Sequence, residues 1–366
     1  MKKAELVFIP APGMSHLVST VEVAKLLVDR DERLSITFLI MKLRSYSKID
    51  SFIDSVSAAS IRFRFIDLPE DEPVPNNPDN ALFSFVETQK PYIKEEVSKL
   101  VSLSQSSPDS PTLVGLVLDM FCTPMIEVAN EFGVPSYIFL TSGATLLGLL
   151  FHIQALHGEQ KVDPMEFKDS GAELIVPCLA NPYPVKVLPS FLLNKEGLSI
   201  ALAQARRFRE SNGIIVNTFE ELESRAINSF SNGNTPPVYP VGPMLNLNRD
   251  GDRDVESDEF KDIRQWLDDQ PLSSVVYLCF GSRGRFGVDQ VKEIACGLEQ
   301  SGHPFLWSLR PPQPKERGVR CLMELDNEKR ERLKEMSGKS RKAVESGGTS
   351  STWLGRFIQD VVDHQP

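Results

Sequence analysis

Eight short apolar runs punctuate the chain: LVFIP (6–10), SITFLIM (35–41), IRFRFI (61–66), LVGLVLD (113–119), YIFL (137–140), GIIVN (213–217), VVYLCF (275–280) and PFLWSL (304–309). Most are continuously hydrophobic rather than alternating. That is the pattern of strands covered on both faces of a parallel sheet. Longer helix-like stretches separate them and serve as crossovers. The expectation is an α/β, doubly wound fold.

The runs are unevenly spread, with six before residue 218 and two after residue 258. The polar, mostly charged stretch NRDGDRDVESDE (248–259) reads as an interdomain linker. The chain therefore divides into an N-terminal Rossmann-like domain at 1–245, a linker at 246–260 and a second domain at 261–366. Beyond PFLWSL, residues 315–363 read as helix throughout. One βα unit takes about 30 residues, so a second domain matching the first needs several more units than are present. The expectation is two doubly wound, Rossmann-like domains, the second one incomplete. Two long loops, 67–80 and 176–189, hold four prolines each and are expected to wall a ligand cleft.

Charge and cysteine content narrow the class. The 366 residues carry a net charge of -10, which argues against a nucleic-acid partner. Five cysteines, none in C-x-x-C spacing, predict reduced, buried thiols and a cytoplasmic protein. The N-terminal apolar run from Leu6 to Ile9 is too short for a signal peptide, and no run approaches a membrane span. His16, His152, His157, His303 and His364 lie outside metal-ligand spacing, so no metal is expected. A monomer is expected.

Three places offer chemistry. In IPAPGMSHL a strand ends at Ile9, a Pro/Gly turn follows and a helix begins near Ser15, placing His16 in its first turn. Open α/β sheets bind ligands at this edge. The helix N-terminus disfavours an imidazolium, which predicts a neutral, proton-accepting His16. The plainer alternative is a turn histidine with a satisfied hydrogen bond. Asp119 ends LVGLVLD at the same edge. A carboxylate there can orient an imidazole and stabilise its charge, or simply cap the helix that follows. The third place is the turn in LCFGSRGRFGVDQ, a phosphate cradle with Ser282 as a donor and Arg283 and Arg285 beside it. Its spacing, Gly281, Gly284, Gly287, matches neither the dinucleotide fingerprint nor a Walker A loop. An NADP-dependent oxidoreductase using Arg310 is a minor alternative resting on this turn.

Several segments together, FIPAPGMSHLVSTVEVAKLL, VLDMFCTPMIEVANEFGVPSYIFLTSGA, GIIVNTFEELE, YPVGPM and WLDDQPLSSVVYLCFGS, resemble the plant family-1 UDP-glycosyltransferases. The likeness continues through QVKEIACGLEQSGHPFLWSLRPP and is nearest to members that glucosylate phenolics such as flavonoids. The resemblance implies a two-domain GT-B fold and an inverting transfer from a UDP-sugar to a small-molecule phenolic, with no metal or cofactor. By motif, His16 is implied as general base, Asp119 as its charge partner and Phe121 as a wall of the acceptor pocket. Thr141 and Ser282 are implied as donor contacts. The family also carries a donor-binding box after the strand corresponding to FLWSLR, with a tryptophan for uracil, a histidine for the phosphates and acidic residues for the sugars. Here SLRPPQPKERGVRCLME leads from that strand into helices resembling the family's C-terminal ones. Between Trp307 and Trp353 there is no tryptophan, and between His303 and His364 no histidine. The resemblance therefore implies an internal deletion near Pro314, and weak or absent activity. The alternative is a non-catalytic, acceptor-binding remnant.

Overall fold

The computed structural model describes residues 3–42, 49–69, 81–106, 110–160, 171–231, 233–244, 258–281, 286–309 and 327–363. The chain forms two compact units. One comprises Met1–Leu247 with Leu333–Pro366, the other Asn248–Arg332.

The first unit begins with β1 (Ala4–Ile9), α1 (Met14–Arg30), β2 (Leu34–Ile40), α2 (Ile49–Ala59) and β3 (Phe63–Asp67). It continues through α3 (Ala81–Ser106), β4 (Thr112–Asp119), α4 (Met125–Glu131), β5 (Ser136–Leu140) and α5 (Ala144–Ala155). A two-residue hairpin, β6 (Glu173–Leu174) and β7 (Tyr183–Pro184), precedes α6 (Lys195–Glu210), β8 (Gly213–Val216), α7 (Glu220–Ser229) and β9 (Val238–Pro240). Seven strands form one sheet in the order β3-β2-β1-β4-β5-β8-β9, every pair parallel. The order reverses between β1 and β4, the topological switch point of a doubly wound sheet.

Period-two alternation divides the strand side chains between two cores. Val7, Ile9, Leu116, Leu118, Ile138 and Leu140 face one side, with residues of α3, α4, α5 and α6. Leu6, Phe8, Val117 and Phe139 face the other, with residues of α1 and α2. All eight residues of β4 are buried. This is why the strands read as unbroken apolar runs. The sequence did not mark β9: it is three residues long and ends in proline.

The second unit holds α8 (Asp258–Asp268), β10 (Val276–Cys279), α9 (Val288–Gln300) and β11 (Phe305–Ser308). β10 and β11 pair in parallel, Val276 opposite Phe305. They form a two-stranded sheet with one crossover helix. The chain ends in α10 (Asn327–Val344) and α11 (Thr349–Asp363).

The C-terminal helix does not group with the second domain as the 261–366 boundary expected. α11 packs on the first unit, on the face already covered by α1 and α2. Phe357 is fully buried there, meeting the rings of Tyr137 and Tyr239 edge-on. Ser350 Oγ donates to the carbonyl of Gly242 at 2.5 Å, and Arg30 donates to Ser351 Oγ at 2.6 Å. Gly242 itself sits so close to Asn217 and Thr218 that an added Cβ would lie 2.5 Å from Asn217 Oδ1. That contact joins the YPVGPM and VNTFEELE segments.

Candidate active site

β1 and β4 are neighbours, with Ile9 opposite Leu118. Their carboxyl ends bring the turn into α1 and Asp119 to one place. The chain passes from β1 into α1 through Gly13, whose φ of 150° strains any side chain. α1 then starts at Met14, with His16 in its first turn.

Nδ1 of His16 lies 2.7 Å from Oδ2 of Asp119. The Asp119 side chain is fully buried and the His16 side chain is 23% exposed. The second carboxylate oxygen accepts the backbone N–H of Phe121 at 3.0 Å. Asp119 thus partners the imidazole and caps the turn at Phe121, but it does not cap the helix that follows: α4 starts at Met125 behind Pro124, without a side-chain cap. When ionised it accepts Nδ1–H, which places the imidazole lone pair on Nε2. Burial, reinforced by the Asp119 charge, pushes the neighbouring Cys122 thiol well above its ordinary range. Cys122 is therefore an inert neighbour rather than a nucleophile.

His16 borders a cavity of about 490 Å³, a size suited to a small molecule, with Asp119 behind it. Phe83, Phe121 and Phe191 supply apolar wall, and Thr141 and Gln204 supply polar groups. The Phe121 ring stands 5.4 Å from the His16 ring, and Phe83 meets Phe121 edge-on at 5.7 Å. The aromatic walls are of a kind that can pack against a flat ring, with the His16 imidazole at the cavity's edge.

The loop after β5 carries Thr141 and ends at Gly143, the N-cap of α5, which has no side chain to cap the helix. Glu223 does so from α7. Its carboxylate accepts the N–H groups of Ala144 at 2.8 Å and Thr145 at 2.9 Å. The backbone of α7 departs from helical geometry at Glu223 itself. Burial alone would raise the Glu223 carboxyl, but hydrogen bonds from Thr145 and from the Thr145 and Ala144 backbone overcome this and hold it below the ordinary glutamate value.

Of the five residues singled out in the sequence, four meet at this cavity: His16, Asp119 (through His16), Phe121 and Thr141. Ser282, with Arg283, Arg285 and Arg310, lies outside the described residues, as do most of the 67–80 loop and the bend at Pro314. The 176–189 loop does not line the cavity. The short turn after it does, through Phe191. Cys122 and Cys178 are buried as expected, but Cys279 and Cys296 are exposed. Gln204 and Glu223 were not singled out. Gln204 had a signal: it interrupts the buried apolar stripe Leu198, Ala201, Ala205, Phe208 of α6.

Among the described residues no helix is long and apolar enough to cross a membrane, and no group of three His, Cys, Asp or Glu side chains could hold a metal ion. No protein-family model matches the chain. Individual proteins do. The UDP-glucose flavonoid 3-O-glucosyltransferase 6 of Fragaria ananassa is 51% identical over 329 residues, covering 87% of this chain and 68% of that protein. Another Fragaria ananassa relative, 53% identical, is spanned over 66% of its length. The anthocyanidin 3-O-glucosyltransferase 1 of Manihot esculenta is 39% identical over 461 residues, covering 95% of this chain and all of that protein. Among solved structures, a transferase from Siraitia grosvenorii in complex with UDP superposes with a TM-score of 0.84 at 34% identity, over 98% of this chain and 100% of that one. UGT71G1 of Medicago truncatula, solved with UDP-glucose, gives 0.83 at 32% identity over 98% of each chain. Sequence likeness across most of the chain and GT-B likeness in three dimensions agree: the chain belongs to the plant UDP-glycosyltransferases.

Proposed function

We propose that the first unit binds a small phenolic acceptor and that the chain descends from an enzyme transferring glucose, or another hexose, from a UDP-sugar to it. The observation that carries this reading is the 2.7 Å His16–Asp119 contact beside an apolar cavity of about 490 Å³. In the reaction, the acceptor hydroxyl gives its proton to Nε2 of His16. Asp119 stabilises the imidazolium that forms. The acceptor oxygen attacks the anomeric carbon, the bond to the UDP oxygen breaks, and the configuration inverts. Phe121 lines the acceptor, while Thr141 and Ser282 contact the donor. The donor needs no metal or cofactor, and the protein acts in the cytoplasm as a monomer.

The same proposal holds that this chain transfers sugar weakly or not at all. The acceptor-binding domain, 1–245, is complete, whereas the donor-binding domain after the 246–260 linker lacks an internal segment with the family's donor-binding box. Support comes from the alignment with the Manihot relative, which runs over 461 residues against a chain of 366. Support also comes from the two-stranded sheet of the second unit. Loss of an aromatic stack and several charge-assisted hydrogen bonds costs ~1–3 kcal/mol each, so donor affinity falls by orders of magnitude. The thin second unit favours the companion reading, a non-catalytic acceptor-binding protein.

The test is glucosyl transfer from UDP-glucose to a phenolic panel, followed by mass spectrometry, with His16→Ala alongside. Little or no product is expected from soluble, folded protein, together with saturable phenolic binding. Robust product that disappears in His16→Ala would refute the inactive reading. Absence of phenolic binding would refute the acceptor site.

A further inference from the structure

Gln204 is a polar side chain in an apolar place. It sits at the centre of α6, is 7% exposed, and shares the helix face of Ala201, Ala205 and Phe208. Its amide nitrogen donates to the backbone carbonyl of Met120 at 3.0 Å, across 84 residues of sequence. Met120 directly follows Asp119, so the amide is anchored one residue from the histidine's partner.

This contact fixes which way the amide faces. A carbonyl oxygen only accepts, so the atom against Met120 is the nitrogen, and the amide oxygen is the acceptor on the other side. Gln204 also lines the cavity that His16 borders. We infer that Gln204 is a specificity-determining residue: its Oε1 accepts a hydrogen bond from a second hydroxyl of the bound phenolic, while the first lies at His16. The inference rests on the acceptor-site reading given above. It selects polyhydroxylated aromatics over those with a single hydroxyl, because apolar wall dominates the rest of the chamber. A ligand lacking the second hydroxyl would leave a largely desolvated amide oxygen unmatched.

The geometry also makes the preference directional. A rotated amide would set its oxygen against the Met120 carbonyl, two acceptors facing each other. The side chain therefore stays an acceptor towards the ligand, and a methyl ether in place of the hydroxyl is not tolerated as an equivalent.

The test is a binding cycle on the full chain that needs no sugar transfer. 3-Hydroxyflavone is compared with its 7-hydroxyl and 4′-hydroxyl derivatives by tryptophan-fluorescence titration or calorimetry, on wild type and on Gln204→Met. Methionine keeps the length and apolar volume but neither donates nor accepts strongly. In wild type, at least one added hydroxyl is expected to tighten binding by about tenfold, one good hydrogen bond. In Gln204→Met that gain is expected to vanish, with affinity for 3-hydroxyflavone changed by less than about threefold. Equal weakening of every ligand by Gln204→Met would mean that Gln204 only holds Met120, which overturns the inference and leaves the acceptor site standing. No binding of any flavone to wild type overturns both. If Gln204→Met does not fold, wild type still decides: no discrimination between 3-hydroxyflavone and either derivative overturns the inference.

Discussion

A single carboxylate, Glu223, ties the loop that carries Thr141 to the rest of the first unit. It caps α5 in place of Gly143, and its carboxyl is held below the ordinary glutamate value because its hydrogen bonds outweigh its burial. A carboxyl depressed in the folded state stabilises the fold fully above its unfolded value and loses that contribution as pH falls through its folded value. Glu223→Gln should therefore cost on the order of 1 kcal/mol near neutral pH, where a charged cap is exchanged for a neutral one. The gap between wild type and variant should close as the pH is lowered below the ordinary glutamate range. Urea denaturation at a series of pH values checks this, and a pH-independent gap would show that the charge contributes nothing. Not all of this was equally legible in the sequence. His16 and Asp119 each follow a strand end, and a doubly wound sheet brings its carboxyl ends to one edge. Gln204 and Glu223 act on partners 84 and 79 residues away, Met120 and Ala144. No local pattern announces such pairs, although a lone glutamine in an apolar helix stripe hints at one.

At the scale of elements, α11 is the piece whose place the sequence concealed. It follows the second unit along the chain yet completes the core of the first. Its strength lies in Phe357, fully buried with ring centroids 5.1 Å from Tyr137 and 5.2 Å from Tyr239. Around it, the Tyr239 hydroxyl donates to Asp360 at 2.5 Å and the Trp353 indole donates to Glu220 at 3.3 Å. Truncating a buried phenylalanine costs ~3–5 kcal/mol, so Phe357→Ala should remove a large share of the first unit's stability. Denaturant unfolding followed by far-UV circular dichroism would register this as a lower midpoint. A shift of less than about 1 kcal/mol would mean that the helix is dispensable. β1, β2, β4, β5 and β8 were legible because both their faces are buried, nearly residue for residue. α11 was not, because amphipathic periodicity tells which face is buried and not what buries it.

For the molecule as a whole, the two units differ in what they bury. The first has two cores, one on each face of a seven-stranded sheet. In the second, the buried hydrophobic side chains among the described residues are Leu278 and Leu298. Leu272, Tyr277 and Leu309 are exposed to 100%, 63% and 52%. The indole nitrogen of Trp307 is buried without a hydrogen-bond partner among the described residues, a cost of ~1–3 kcal/mol. Both strands show mostly intermediate or exposed positions, where β1, β2, β4, β5 and β8 of the first unit are almost wholly buried. A unit with so little apolar burial cannot offset the conformational entropy of its own ordering by much. It should therefore open far more often than the first, by local rather than global unfolding. Hydrogen exchange read by mass spectrometry gives a direct measure. Amides of β10, α9 and β11 should exchange at least about a hundredfold faster than those of β1, β4 and β5, a gap of ~2.7 kcal/mol in opening free energy. Opening also adds Leu278 and Trp307 to the already exposed Tyr277, so self-association that grows with concentration should accompany it. Uniform protection across both units would mean that the second one is stabilised by contacts beyond its own two strands, and that the missing-segment reading of its thin core is wrong.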